Sequence, residues 1–103
     1  MQDKVVTLVG FAIKSGKVVF GMDAILRNSR RKGLIITDKT LSEGSRDKLV
    51  RQANGTVVIS RVTPVSEITH REGCKVIAIT DKQMAQAILD NMNGNYQILT
   101  EVK

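Results

Sequence analysis

Three short apolar runs, Leu34-Ile35-Ile36-Thr37, Val57-Val58-Ile59 and the stretch from Cys74 to Thr80, constrain this chain more than any other feature. Each is too short for a buried helix, is bounded by Gly or Asn-Gly, and reads as a strand covered on both faces. Helical patterns separate them. Residues 4–15 place Val5, Leu8, Val9, Ala12 and Ile13 at helical spacing, with Gly16 where a left-handed cap would stand. Thr40-Leu41-Ser42-Glu43 has capping-box spacing and predicts a polar helix to about Ala53, with a thin apolar face of Leu49, Val50 and Ala53. Thr63-Pro64 reads as an N-cap with proline at the first helical position, and Gly73 as the matching stop. Thr80-Asp81-Lys82-Gln83 repeats the capping-box spacing ahead of Met84, Ala85, Ile88, Leu89 and Met92. Residues 96–103 read as a tail or an edge strand.

Strands alternating with helices through short connections predict right-handed βαβ units with helices on both faces. The expected fold is α/β, a three-layer α/β/α sandwich with a small, mostly buried mixed sheet, formed by one domain over residues 1–103.

The stretch from Ser15 to Gly33 has a different character. After an extended connection, residues 17–20, a helix beginning at Gly21 and stopping at Gly33 would place Met22, Ile25, Leu26 and Ser29 on one face. Asp23, Arg27, Arg30 and Arg31 would lie on the other. Between Lys14 and Lys39 there are seven basic residues and two acidic ones, against nine and eight in the rest of the chain. Most of the formal charge of +6 thus falls in a quarter of the sequence, beside a helix N-terminus that favours anions. Lys14, Lys17, Arg27, Arg30, Arg31 and Lys39 become candidate contacts to a phosphate-rich partner, most simply nucleic acid. A solvated face, with Arg-Arg-Lys selected by the helix dipole, is the plainer explanation of the same pattern.

Other chemistries find little support. Phe11, Phe20 and Tyr96 are the aromatic residues, too few for a platform that stacks successive bases. His70 and Cys74 are four apart, but Gly73 lies between them, and neither a fixing carboxylate nor converging metal ligands accompany them. Gly16 and Gly21 are followed by Met22 and Asp23, where a phosphate-binding loop needs Lys and Ser or Thr. With one cysteine, no membrane-length apolar run and no leader-like N-terminus, the expectation is a cytoplasmic, non-enzymatic protein without cofactor, metal or membrane partner.

The order of SGKVVFGMDAILRNSRRKGLIITD, TVVISRVTPVSEI, REGCKVIAITD and the last helix resembles a ribosomal protein family, the kink-turn RNA binders. That family includes the archaeal large-subunit protein called seven-Ae and the eukaryotic one called thirty-e, and the chain is similar to its short bacterial YlxQ-type branch over about residues 4–92. The resemblance implies a ribonucleoprotein role with structured RNA as partner, ribosomal proteins as neighbours, and recognition of sheared guanine–adenine pairs by the turn before the second helix. It maps Gly21 onto the family's glycine, Met22 onto its small residue, Asp23 onto its Asn and Arg27 onto its Lys. Lys17 and Arg31 fall where phosphate contacts are expected. A hydrophobic loop over an extruded base would be Val62, Thr63, Pro64 and Val65. Two positions depart from the pattern: Ala24 stands where the family has Glu, and Asp23 where it has Asn. Two alternatives from other classes are a relic of the RNA-recognition domain attached to ribose methyltransferases, and an interaction module whose basic helix binds an acidic protein.

Overall fold

The structure, a computed structural model, describes residues 4–28, 33–52 and 55–99. Its elements run α1 (Lys4–Lys14), β1 (Val18–Phe20), α2 (Met22–Arg27), β2 (Leu34–Asp38), α3 (Glu43–Gln52), β3 (Thr56–Ser60), α4 (Val65–Thr69), β4 (Val76–Ile79), α5 (Lys82–Asp90) and β5 (Tyr96–Ile98). The strands form one mixed sheet in the order β1-β4-β2-β3-β5. The β2–β3 pair is parallel and the other three are antiparallel. Of the βαβ units that the alternation predicts, only β2–α3–β3 therefore forms between neighbouring strands; the connection at 17–20 and the start of the tail at 96 are the two edge strands.

Alternation along the strands sorts the core into two layers. Leu34, Ile36, Val58, Ile77 and Ile79 point to α1, α4 and α5, meeting Val5, Val9, Ala12, Val65, Ile68, Ala85 and Ile88. Ile35, Val57, Val76 and Ala78 point the other way, to Ile25 of α2 and Leu49 of α3. The result is the three-layer α/β/α sandwich, with β2 and β4 buried along their whole length.

Helix ends explain most differences from the sequence reading. Helix α1 closes as expected: Gly16, at φ 72°, donates to the Ile13 carbonyl while Lys17 donates to Ala12, the two bonds of a Schellman cap. At α3 the cap is Ser42, whose hydroxyl accepts from Ser45 N–H at 3.1 Å. Thr40 instead gives both its N–H and its hydroxyl to Asp38. At α5 the cap is Asp81, which accepts from Gln83 and Met84, rather than Thr80. Helix α4 has Pro64 at its N-cap with no side-chain cap of its own; Asp38, at the end of β2, supplies the missing acceptor to Val65 N–H at 2.8 Å. It ends at His70, in the left-handed region at φ 56°, ψ 34°, three residues before the glycine expected to stop it.

Helix α2 is shorter than its apolar pattern suggests. It turns extended at Asn28, where ψ is 108°, and never reaches Gly33. Asn is a poor interior helix residue because its side chain competes for backbone groups. Gly33 serves packing instead. A methyl there would overlap Ala85 Cβ, so its missing side chain lets the start of β2 approach α5.

Candidate nucleic-acid interface

Strands β1, β2 and β3 finish at one end of the sheet, where β4 and β5 begin. The turn after β1 holds Gly21 at φ 88°, ψ 150°, a conformation open essentially to glycine alone. Its N–H donates to Val76 O at 3.1 Å, which ties the start of α2 to the start of β4. A Cβ at Gly21 would touch nothing, so the requirement is conformational and the space beside it is free.

That free space is a shallow groove of about 420 Å³ lined by Phe20, Gly21, Arg71, Glu72, Gly73 and Cys74. Its second wall is the loop between α4 and β4, shaped by His70 and by Gly73 at φ 80°. The Arg71 guanidinium lies 3.8 Å from the centroid of the Phe20 ring. Phe20 is half-buried, packing one side on the core and offering the other to Arg71. An exposed pair of this kind contributes about 0.5–1 kcal/mol, little enough for a ligand to displace. Cys74 is also half-buried, with its thiol directed at the Val76 carbonyl at 3.7 Å.

Register extends the site along the sheet end. Asp38 N–H donates to Lys75 O at 2.8 Å, and Asp38 pairs with Ser60. Lys75 just before β4, Lys39 just after β2 and Arg61 just after β3 therefore stand at the same end of the sheet, Lys75 level with Asp38 and the other two one residue beyond it, all exposed. Arg61 is steadied by Gln97, which accepts from Nη1 at 2.7 Å. Level with Lys75 lies the buried Asp38. Burial by itself would raise its carboxyl, but the Thr40 hydroxyl, the N–H groups of Val65 and Thr40 and the nearby Lys75 charge outweigh that and hold it below the usual carboxylate range.

The sequence candidates divide accordingly. Gly21, Met22, Asp23 and Lys39 lie at the groove end, with Asp23 exposed and Met22 half-buried against the α2 layer. Arg27 is exposed and its Nε donates back to Asp23 O at 3.3 Å. At six residues α2 is under two turns, so the dipole argument for its N-terminus carries little weight. Lys14 and Lys17 lie at the other end of β1, where Thr80 N–H donates to Lys17 O. Arg30 and Arg31 fall outside the described residues.

The hydrophobic loop needs correction. Val65 is fully buried as the first residue of α4 and cannot cover a base. Thr63 and Pro64 are half-buried, the Thr63 carbonyl accepting from the Ser60 hydroxyl. Val62 is exposed at 59%, but follows β3, which β4 and β2 separate from β1 and Gly21. The wall beside Gly21 is the stretch from Arg71 to Cys74. Sequence reasoning misses Phe20, Arg61, Arg71 and Lys75, because by its position Gly73 reads as a helix stop rather than as the pivot of a loop.

No family model matches the chain, and no curated protein does. A solved structure described as a protein with unknown function from Bacillus halodurans C is similar, with a TM-score of 0.69 and 16% sequence identity. The match covers 86% of this chain and 96% of that one. At that identity the likeness is one of fold.

Among the described residues no helix is long and apolar enough to cross a membrane, and no three His, Cys, Asp or Glu side chains are grouped to hold a metal ion.

Proposed function

We propose that the protein is a non-enzymatic, cytoplasmic binder of structured RNA, acting at the end of the sheet where the β1–α2 turn meets the α4–β4 loop. The observation that carries this reading is the groove at Gly21 with its Arg71–Phe20 pair, at the same end of the sheet as the exposed Lys75, Lys39 and Arg61. Exposed cations gathered at one end of the sheet suit a phosphate backbone, and one aromatic face under a guanidinium suits one unstacked base rather than a run of them. The order of sequence motifs adds the kink-turn family, with ribosomal RNA and ribosomal proteins as its natural setting. In that reading Asp23 and Ala24 supply fewer base contacts than the family's Asn and Glu, so affinity rests more on phosphates.

Capture of the tagged protein from a lysate, with and without ribonuclease, tests this. RNA should be recovered only without nuclease, and Arg71→Ala should lower its yield several-fold while costing no more stability than the roughly 0.5–1 kcal/mol of its pair with Phe20, because Arg71 is exposed. Nuclease-insensitive capture of an acidic protein would replace this reading with the interaction module. Recovery of neither would reject RNA binding.

A further inference from the structure

Strand β1 is an outer strand with the groove at one end, so what stands at its other end shares an edge of the molecule with the groove. Lys17 precedes β1 there, held by the bond from Thr80 N–H to its carbonyl at 2.9 Å. The Schellman turn that closes α1 brings Lys14 to the same corner, and Lys82 enters it as the first residue of α5. All three side chains are exposed, one from α1, one from the connection before β1 and one from α5. The carboxylate at this corner, Asp81, is committed to the N–H groups of Gln83 and Met84 at 2.8 and 3.1 Å. The groove end holds more carboxylates among its cations, Asp23, Glu43 and Glu72.

We infer that Lys14, Lys17 and Lys82 form a second, purely electrostatic contact that grips phosphates of the same RNA whose irregular part occupies the groove. The inference rests on the RNA reading and adds the path of the ligand, along the β1 edge. From Lys17 to Gly21 the strand rise gives about 13 Å. A duplex carries its phosphates far more closely than this, about every 1.7 Å of axis in DNA, so one stem reaches both ends without bending. An acidic protein fits this corner less well: a stable protein interface has an apolar centre. Of the exposed large hydrophobics among the described residues, Val62 lies beyond β3 at the groove end and Ile98 on the opposite edge strand, leaving Phe11, one turn before Lys14.

The test compares the whole protein with Lys14→Gln/Lys17→Gln/Lys82→Gln and with Arg71→Ala. Each binds a hairpin RNA with an internal loop, in a long-stem and a trimmed-stem form, at several salt concentrations, after thermal unfolding has shown all three folded. Each phosphate contact contributes about 0.7–0.9 to the slope of log affinity against log salt. Between 50 and 200 mM salt the wild type should therefore lose about 20- to 40-fold more affinity for the long stem than the triple variant does. On the trimmed stem the two should behave alike, and Arg71→Ala should weaken both RNAs with the salt slope nearly kept. A triple variant with the wild-type slope on the long stem overturns the second contact and leaves the groove reading standing. Wild-type protein that binds neither RNA overturns both. Displacement of the RNA by polyglutamate at equal charge would assign the corner to an acidic protein and overturn the inference.

Discussion

Asp38 couples the sheet to the candidate site through one carboxylate. It is 6% exposed, ends β2 between Lys75 and Ser60, caps α4 from a distance and fixes the turn at Thr40. Its carboxyl is held below the ordinary value of about 3.9, so the folded state binds fewer protons than the unfolded chain in the acid range. The stabilisation is then fully present above the unfolded value and disappears as pH falls through the folded one. Asp38→Asn should cost about 1.5–3 kcal/mol at neutral pH, the range for hydrogen bonds to a charged acceptor. In urea unfolding across pH, the difference between wild type and variant should narrow below about pH 4; a constant difference from pH 7 to 3 would show that the charge does nothing. The sequence places Asp38 after a strand and no more. Its partner Val65 is 27 residues away, and the pairing depends on a strand order that periodicity does not encode.

Elements are legible where packing alone decides them and illegible where backbone groups compete. The runs at 34–38, 56–60 and 76–79 become strands because no other arrangement buries so many branched side chains. Helix α2 keeps Met22, Ile25 and Leu26 on its inner face as their spacing requires, yet its length is set by Asn28. The same limit applies to Gly33, which the sequence marks as a helix stop but which serves the contact between β2 and α5. Gly33→Ala should therefore destabilise the protein by about 1–3 kcal/mol through overpacking. Ala85→Gly alone should cost roughly 1 kcal/mol in helix propensity. Combined, the two should be less destabilising than their sum, with a coupling of about 0.5 kcal/mol or more in thermal unfolding. Strict additivity would mean that the glycine is needed for its own backbone and not for the approach of α5.

At the scale of the whole molecule, the order β1-β4-β2-β3-β5 makes the site. It sets the edge strand β1 beside β4, so that residues 20–21 and 71–74, far apart in the chain, become two walls of one groove. It also divides the basic stretch, leaving Lys39 near the groove while Lys14 and Lys17 gather at the opposite end with Lys82. From sequence the turn at Gly21 is visible through its glycine and its charge. The second wall is not, because a helix–loop–strand connection carries no mark of which strand it will stand beside. The measurement closest to the central claim is photocrosslinking of the intact protein to bound RNA, with the attached peptides identified by mass spectrometry. Crosslinks should concentrate in the segments 20–23 and 71–75, and should disappear there in the presence of excess unlabelled RNA. Specific crosslinks confined to β5 and α3, with none in those two segments, would contradict the account.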